Sequence, residues 1–403
     1  MNSWGTATIG SVCLTYSGGT PSTARLDYYG GDIPWIVSAD LNKGRILSVK
    51  GRITRLGLER SSAKLVDPGT PLIALYGATA GVPALTYVGG AINQAVLAMV
   101  PRRIAAEFLY QWLKANRDQI IDRYTQGGQP NLSGAIVRSI ELPLPPVSEQ
   151  HRISAALRDV DDLIAALERM IAKKLAIKQG LLQKLLADEA SLSVWPRSRL
   201  SGLIDGLEAG ISVRSSEQAA HGIAVLKTSA VNGGRFDPTE AKPVISQDVD
   251  RVRCNPVAGS LIISRMNTPN LVGEVGYVER DCANLYLPDR LWLARPKRGK
   301  GQQVNMRWLG YYLSSEFGSS AVRGLATGTS GSMKNIPKDK LLALEVPTPP
   351  PHEQDKIADT VRAVDCAIDL LRDRLVKARD VKQGMMQQLL TGRVRLPAKG
   401  IET

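Results

Sequence analysis

The chain is poor in cysteine and histidine and has no long apolar run. Its four cysteines, Cys13, Cys254, Cys282 and Cys366, are scattered without CxxC spacing, which argues against a zinc site and for a reducing compartment. No apolar run of roughly 18 residues is present, so no membrane-spanning helix is expected. The opening MNSWGTATIG has neither a charged n-region nor an apolar core, so no signal peptide is expected. These absences predict a cytoplasmic protein.

Familiar catalytic motifs are missing as well. The three histidines, His151, His221 and His352, are isolated or precede long helical patterns, and no HExxH, GxSxG or GxxxxGKS/T pattern occurs. The Asn255-Pro256 pair is followed by Val-Ala, not by the proline and aromatic residue of an adenine methyltransferase motif. The sequence therefore predicts no catalytic residue and no metal ligand. Scattered carboxylates leave a nuclease site as the alternative, although no spacing singles one out.

Positive charge is in excess throughout the chain. There are 51 Lys+Arg against 38 Asp+Glu, a formal net charge of +13. Two globular segments, 1–148 and 189–352, share this excess. A basic protein of this size most often binds nucleic acid. Solubility alone is the alternative interpretation of the charge.

An internal repeat defines the domain organisation. The stretch Pro145 to Ala187 returns at Pro349 to Thr391 with a constant offset of 204 and no gap, and 17 of the 43 aligned pairs are identical. Chance would give roughly two or three identities. The period is too long for a solenoid and large enough to carry a whole domain. The predicted segments are a domain at 1–148, a helix at 149–188, a domain at 189–352, a helix at 353–392 and a tail at 393–403.

Both copies of the repeat have the heptad spacing of a long helix. Apolar residues recur in steps of four and three, which is the seam of a coiled coil. We expect Ile153–Leu186 and Ile357–Leu390 to pair antiparallel, since each helix then buries the seam of the other. The predicted seam residues are Ile153, Leu157, Val160, Ile164, Leu167 and Ile171 in the first copy and Ile357, Val361, Val364, Ile368, Leu371 and Leu375 in the second.

Other residues of the repeat qualify this helix prediction. Gly180 and Gly384 interrupt the pattern and predict a bend or a close backbone contact near each helix end. Glu149 and Glu353 lie where the helix dipole favours an anion. The alternative is that each helix packs onto its own domain. Dense mixed charges beside the seam favour the coiled coil instead.

Inside the globular segments a weaker repeat continues. Asp67-Pro-Gly-Thr and Asn255-Pro-Val-Ala-Gly each begin a turn, a short apolar strand and a polar loop. Helices are predicted at Ala105–Arg123 and Asn305–Arg323, each followed by another polar loop. The predicted fold class is α+β, with two similar globular domains joined by two long helices that form an antiparallel coiled coil, a pseudo-twofold internal repeat.

These motifs resemble the specificity (S) subunit of type I restriction-modification enzymes. The strongest carriers are Pro145-Pro146-x-x-Glu149-Gln150 with Lys178-Gln179-Gly180, and their second copies at Pro349 and Lys382. Weaker carriers are Ser17-Gly-Gly-Thr-Pro-Ser, Ile33-Pro-Trp and Gly128-Gln-Pro-Asn-Leu-Ser. The second domain departs from the first at Leu207-Glu-Ala-Gly-Ile-Ser and Gly331-Ser-Met-Lys-Asn, as expected for two domains that read different DNA words.

The resemblance implies a non-catalytic DNA-recognition subunit of bacterial defence. Each globular segment would be a target recognition domain for one half of a bipartite double-stranded target, and the helices would set the spacer and dock two methyltransferase (M) subunits. Restriction (R) subunits are implied as further partners. Adenine-N6 methylation with S-adenosylmethionine, and cleavage with ATP and Mg, would lie in those partners, with no cofactor in this chain. A methylation-only system is a close variant.

Polar side chains in loops are the candidate DNA contacts, because lysine, arginine, amide and hydroxyl groups bind phosphates and base edges. Two other classes stay open: a catalytic methyltransferase or nuclease, and a coiled-coil scaffold without a DNA role. The candidates are Lys43, Arg45, Arg52, Tyr76, Thr79, Gln126 and Gln129 in the first domain and Arg214, Lys227, Arg265, Asn267, Thr329 and Lys334 in the second.

Overall fold

The computed structural model describes residues 4–124, 131–186, 194–218, 222–297, 304–328 and 333–397. The chain divides into two units. Unit 1 combines Met1–Glu168 with Asp373–Thr403, and unit 2 is the continuous segment Arg169–Arg372. Each unit therefore contains one globular domain and a part of each long helix. None of the helices within the described ranges is long and apolar enough to cross a membrane.

Unit 1 is built on mixed sheets in which most neighbouring strands are antiparallel and two pairs are parallel. Its sheets have the orders β2-β10-β7-β8-β4, β5-β3-β9-β6 and β1-β11. The strands are β1 Gly5–Thr8, β2 Cys13–Ser17, β3 Tyr29–Ile36, β4 Arg45–Ile46, β5 Arg52–Ile53, β6 Lys64–Val66, β7 Pro71–Ala74, β8 Pro83–Thr86, β9 Gly90–Ile92, β10 Val96–Pro101 and β11 Glu141–Leu144. Its short helices are α1 Ile9–Val12, α2 Arg55–Glu59, α3 Ala106–Tyr124 and α4 Gly134–Ser139.

Unit 2 repeats much of this arrangement. Its sheets have the orders β13-β22-β18-β20, β17-β14-β21, β12-β24, β15-β16 and β19-β23. The strands are β12 Arg197–Arg199, β13 Ile204–Ala209, β14 Ala224–Leu226, β15 Val231–Asn232, β16 Arg235–Phe236, β17 Ala241–Pro243, β18 Leu261–Ser264, β19 Met266–Asn267, β20 Val275–Tyr277, β21 Leu285–Tyr286, β22 Leu291–Pro296, β23 Lys334–Asn335 and β24 Glu345–Pro347. Its short helices are α6 Leu200–Leu203, α7 Met306–Ser314, α8 Glu316–Gly324 and α9 Lys338–Leu342.

The central strand of each domain forms where the sequence predicts it. In unit 1 the strand β7 is buried along its whole length, and the turn before it places Gly69 at a φ of 87°. In unit 2 the strand β18 is equally buried, and Gly259 in the preceding turn has a φ of 78°. Only glycine adopts this left-handed conformation without steric cost. A glycine turn followed by an apolar run is therefore the local reason for the repeated sheet.

The prediction of one continuous helix in unit 2 is wrong. The expected single helix Asn305–Arg323 is two helices, α7 and α8, separated at Ser315. Ser315 has an extended ψ of 161°, and its hydroxyl accepts a hydrogen bond from the backbone N–H of Gly318. A side chain at Gly318 would collide with the carbonyl of Tyr312. A serine cap and a required glycine thus break the helix, whereas α3 in unit 1 continues through 19 residues.

The two long helices are α5, Val147–Leu186, and α10, Pro351–Leu389. They pair antiparallel within each unit. In unit 1, Asp161 and Glu168 of α5 form ion pairs with Lys382 and Arg379 of α10, so the numbering rises on one helix as it falls on the other.

In unit 2 the direction is the same. Lys178 forms an ion pair with Asp365, while Leu182 and Leu186 pack into the apolar cluster that contains Ile357 and Val361. Both helices continue through the glycines near their ends. A Cβ at Gly180 or Gly384 would meet no described atom within 4 Å, so the close backbone contact that the sequence suggested is absent at these two positions.

Most of the predicted seam is buried. The residues below one-tenth exposure are Ile153, Leu157, Leu167, Ile357, Val361, Ile368, Leu371 and Leu375. The remaining four, Val160, Ile164, Ile171 and Val364, are half-buried. Both interpretations of the helix pattern hold in part, because Ile153 and Leu157 also share a cluster with Phe108 and Leu109 of their own domain.

Candidate nucleic-acid interface

In unit 1 two polar loops that are distant in sequence meet. Tyr76, directly after β7, forms a β-bridge with Asn131, and the backbone N–H of Leu132 donates to the carbonyl of Leu75 at 2.8 Å. The Tyr76 side chain is 45% exposed, and the Thr79 hydroxyl donates to the carbonyl of Tyr76. The structure thus brings two candidate residues to one exposed edge of the domain.

Helix α3 positions this loop. The guanidinium of Arg117 donates two hydrogen bonds to the carbonyl of Ala80, at 3.2 and 3.3 Å. Gly77 and Gly81, with φ values of 71° and 73°, shape the turn between them. The exposed segment Tyr76–Thr79 is therefore fixed at its end by partly buried hydrogen bonds, which limits the conformations that a ligand would have to order.

Unit 2 has the same junction at equivalent positions. Strands β19 and β23 pair so that Asn267 lies opposite Lys334, and the backbone N–H of Ile336 donates to the carbonyl of Arg265 at 3.0 Å. The Arg265 side chain lies over the ring of Trp292 and donates to Asn335. Three candidates separated by up to 69 positions in sequence, Arg265, Asn267 and Lys334, are therefore neighbours.

Sequence reasoning missed one residue in each junction. Asn131 and Asn335 are separated by the repeat offset of 204, and each pairs with the strand-end loop of its own unit. Both lie in the polar loops named in the sequence analysis, so the constant offset of 204 between them was a signal that could have identified them. Three candidates, Gln126, Gln129 and Thr329, lie outside the described residues.

The other candidates of unit 1 have partners within the protein. The guanidinium of Arg45 forms an ion pair with Glu107 at 2.6 Å and contacts the Tyr87 hydroxyl. Burial opposes the charge, but the hydrogen bonds to Glu107 outweigh it and raise the pKa of Arg45. This partly buried pair suits a structural role. Lys43 donates to Asp40 and to the carbonyl of Ser48.

Three further candidates lie at the surface. Arg52 is exposed and donates to the carbonyl of Asp32. The Arg214 side chain is 70% exposed while it pairs with the buried carboxylate of Asp248. Hydrogen bonds from Arg214, and a further one from Arg251, hold the pKa of that carboxyl well below its usual range. Lys227 lies 3.5 Å from Glu240. Arg214 and Arg52 thus combine a fixed backbone with an exposed cation.

A buried glutamine anchors each long helix to its domain. The side chain of Gln150 accepts from the backbone N–H of Ala105 and donates to the carbonyl of Pro145, at 2.7 and 2.8 Å. Gln354 makes the corresponding bonds to Asn305 and Pro349, both at 2.8 Å. These contacts explain the prolines and the glutamine of the Pro-Pro-x-x-Glu-Gln motif. The carbonyl of the first proline accepts its hydrogen bond from the glutamine side chain.

The neighbouring glutamates bind tryptophans. The indole N–H of Trp4 donates to Glu149 at 3.1 Å, and that of Trp195 donates to Glu353 at 3.0 Å. The first residues of each domain are thereby fastened to the start of its long helix. The predicted helix-dipole position of both glutamates is thus combined with a specific hydrogen bond.

Partly buried ion pairs recur along the helices. Asp161 is bound by Lys382 and by Gln111 of α3, and Asp365 is bound by Lys178 and by the hydroxyl of Tyr311 at 2.9 Å. Burial alone would raise the pKa of Asp161, but the hydrogen bonds from Lys382 and Gln111 lower it overall. Each bond set ties a domain helix to both long helices within one unit.

Neither a metal-binding cluster nor a low-pKa thiol at Cys13 or Cys254 accompanies these surfaces in the described residues. Within them, no group of three or more histidine, cysteine, aspartate or glutamate side chains could hold a metal ion. Burial raises the pKa of the Cys13 thiol to about 12 and that of Cys254 to about 11. Thiols held in the protonated form are poor nucleophiles.

Comparison with known protein families identifies the family of this chain. The type I restriction modification DNA specificity domain matches the chain twice, at residues 1–177 and 198–378. The chain belongs to this family. Each match contains one globular domain and most of one long helix, so the family's unit of repetition coincides with the internal repeat of the sequence. The predicted architecture, α+β with a duplicated domain and two long helices, is confirmed.

Several similar proteins are named as specificity (S) subunits of type I restriction enzymes. The MjaVIII specificity subunit of a type I restriction enzyme from Methanocaldococcus jannaschii is 24% identical over 307 residues, covering 72% of this chain and 70% of that protein. The MjaIX specificity subunit from the same organism is 30% identical over 183 residues, covering 43% and 42%. The crystal structure of a type I restriction-modification S subunit from M. genitalium matches 96% of both chains with a TM-score of 0.63 at 15% identity.

Proposed function

We propose that this chain is the sequence-specific DNA-recognition subunit of a type I restriction-modification complex. Each domain reads one half of a bipartite target, and the paired helices set the spacer and dock the methyltransferase subunits. The observation that carries the proposal is the double match of the DNA specificity domain to residues 1–177 and 198–378. The repeated junctions, Tyr76 with Asn131 and Asn267 with Lys334, support it, since each domain offers its own polar edge.

The division of labour follows from the physics of DNA recognition. Base edges in the major groove distinguish all four base pairs, and the amides and cations at the junctions, Asn131, Asn267, Lys334 and Arg265, are the side-chain types that contact bases and phosphates. Two methyltransferase subunits and restriction subunits are the proposed partners. S-adenosylmethionine, ATP and Mg would be bound by those partners, which carry out adenine-N6 methylation and cleavage.

Methylome sequencing of cells that carry this chain with its methyltransferase partner tests the proposal. The expected result is methylated adenine in one bipartite sequence. Replacing residues 1–140 by the matching domain of another specificity subunit should change one half of that sequence and preserve the other half and the spacer. A methylated word that is continuous, or that does not depend on this chain, would contradict the proposal.

A second experiment tests the proposal that this chain has no catalytic activity of its own. The purified chain alone is expected neither to methylate nor to cut DNA, because the sequence has no nucleophile, metal or cofactor motif and no metal-binding group occurs in the described residues. Transfer of labelled methyl groups from S-adenosylmethionine to DNA is the measurement. Turnover by the chain alone, abolished by substitution of one of its own residues, would overturn the non-catalytic assignment.

A further inference from the structure

Unit 1 contains a cleft of about 680 Å³ between helix α3 and the last part of α10. Four cationic residues line it, Lys114, Arg379, Lys382 and Arg393. Carboxamides fill the space between them, contributed by Asn116, Gln119, Gln383 and Gln387. Ile164, Met386 and Leu390 also line it, so the cleft combines cationic and amide groups with an apolar wall.

The positive charge of this cleft is incompletely neutralised. Asp161 is the single acidic side chain in its described lining, and it is already bound by Lys382 and Gln111. Arg379 pairs with Glu168 at the surface. Neither Lys114 nor Arg393 forms an ion pair with a carboxylate of the described residues, although Lys114 lies over the Tyr110 ring and its charge acts on Asp161. The described lining therefore holds four cations against one carboxylate.

Unit 2 has an equivalent cleft, and a comparison of the two linings shows which charges the internal repeat does not account for. It has a volume of about 790 Å³ and is lined by Lys178, Gln179 and Gln183, which lie 204 positions before Lys382, Gln383 and Gln387. The repeat therefore supplies the same lysine and the same two glutamines to both clefts.

Elsewhere the two linings differ. Leu175 takes the place of Arg379, at the same offset of 204. On the domain helices the offset is 200, set by the glutamine bonds to Ala105 and Asn305, so Ser314 takes the place of Lys114. Phe317 is 46% exposed in the unit 2 cleft, and the arginines that line it, Arg235 and Arg372, share Asp369.

We propose that the unit 1 cleft binds backbone phosphates of the target DNA beside the half-site read by residues 1–148, and that the unit 2 cleft does not. This inference rests on the proposed function. Cations and amide donors bind phosphate oxygens irrespective of sequence and fix the register of a protein on DNA. Helix α3 links the two surfaces, because it carries Lys114 in the cleft and Arg117, which holds the Tyr76–Ala80 loop.

The test is the salt dependence of DNA binding by the full chain carrying Lys114→Gln and Arg393→Gln, singly and together. Binding is titrated at several salt concentrations on target DNA and on unrelated DNA of equal length. Each lost phosphate contact should reduce the slope of log K against log salt by about 0.9. Affinity should fall in the same proportion on both DNAs, so the preference for the target is unchanged. The matched control is Lys356→Gln, an exposed cation of α10 that lines neither cleft, with unchanged affinity and slope.

Other outcomes separate the cleft from the proposed function. A double variant with wild-type slope and affinity on both DNAs overturns the inference. A double variant that binds DNA like the wild type but no longer copurifies with the methyltransferase subunits also overturns it, because the cleft would then accept an acidic protein segment. If the wild-type chain shows no target preference, the proposed function fails, while the slopes on unrelated DNA still decide whether the cleft holds phosphates. Unchanged thermal unfolding midpoints confirm that the variants are folded.

Discussion

At the scale of single residues, two glutamines hold the helices to the domains. Gln150 is fully buried and Gln354 is 1% exposed, and each satisfies one partly buried backbone N–H and one backbone carbonyl through a buried bond. An unpaired buried backbone group is costly because it loses its bond to water without a replacement. The glutamine of the repeated Pro-Pro-x-x-Glu-Gln motif is therefore an architectural residue.

Substituting Gln150 by alanine tests this role. The variant leaves the N–H of Ala105 and the carbonyl of Pro145 unpaired, so the free energy of unfolding should fall by about 2 kcal/mol. Urea denaturation followed by circular dichroism measures it. The control is Gln388→Ala on an exposed position of α10, where little change is expected. Equal stabilities of Gln150→Ala and the control would show that the buried bonds contribute nothing.

The ion pair at Asp161 predicts a pH dependence of stability. Its pKa is lowered in the folded protein, so the ionised form favours folding and this contribution is complete above the ordinary aspartate pKa of about 4. It is lost as the pH falls through the lowered value. Asp161→Asn should therefore unfold more easily by about 2 kcal/mol at pH 7, and the gap to wild type should close in acid.

Denaturant titrations between pH 7 and pH 2 measure this gap. Glu59→Gln removes an exposed pair with Arg55 and serves as the control, with a small difference from wild type at every pH. A gap for Asp161→Asn that stays constant with pH would show that the carboxylate charge is not what stabilises the unit.

The sequence identified loops that the structure brings together, but it did not show which of their side chains already have partners within the protein. Polar segments around Tyr76 and Arg265 were chosen by residue type, and the structure joins them to the loops at Asn131 and Lys334. The type of a residue does not show, however, whether its side chain already has a partner within the protein. Arg45 has the chemistry of a phosphate ligand, but Glu107, 62 positions away, occupies its guanidinium. Such a partner is fixed by the fold and has no local signature.

At the scale of elements, periodicity was a strong guide to the helices and a weaker one to their surroundings. The heptad pattern predicted both long helices because the spacing of apolar residues depends on the chain alone. Whether a seam residue is buried depends also on what packs beside it. Each of the repeat equivalents Ile164 and Ile368 lines the cleft of its own unit, but Ile368 is 1% exposed and Ile164 is half-buried.

This difference predicts unequal effects of equal substitutions. Ile368→Asp buries a charge and deletes a packed side chain, so the loss of stability should be about 4 kcal/mol. Ile164→Asp places its carboxylate at the edge of a cleft with several cations and should cost much less. Chemical denaturation of both variants is the measurement, with Leu163→Asp, at a position 51% exposed, as the neutral control. Equal losses at 164 and 368 would contradict the asymmetry.

At the scale of the whole molecule, the ion pairs and helix anchors described above each lie within a single unit. The division falls between Glu168 and Arg169 on α5 and between Arg372 and Asp373 on α10. The ion pairs and glutamine anchors described above all join residues of one unit. A change in helix length at the division therefore leaves the recognition surfaces of both units unaltered, which is what a spacer element requires.

Insertion of four helical residues into both helices tests the spacer function. The insertions are placed between Leu167 and Ile171 and between Leu371 and Leu375, which span the division. Four residues add about 6 Å of helix, so the spacer between the half-sites should lengthen by about one or two base pairs at roughly 3.4 Å each. Methylome sequencing reads out the spacer. A changed half-site with an unchanged spacer would contradict the proposal.

The composition of unit 1 from two separate stretches of chain has a consequence for biosynthesis. Unit 2 is continuous, but unit 1 draws Leu389 and Leu390 into the cluster that buries Ile153 and Leu157. During translation these leucines emerge after all of unit 2, so the domain made first is completed last. A nonsense mutation shortly after Arg372 would consequently expose apolar surface on the domain at the opposite end of the gene, and the N-terminal half would be the first substrate for proteolysis.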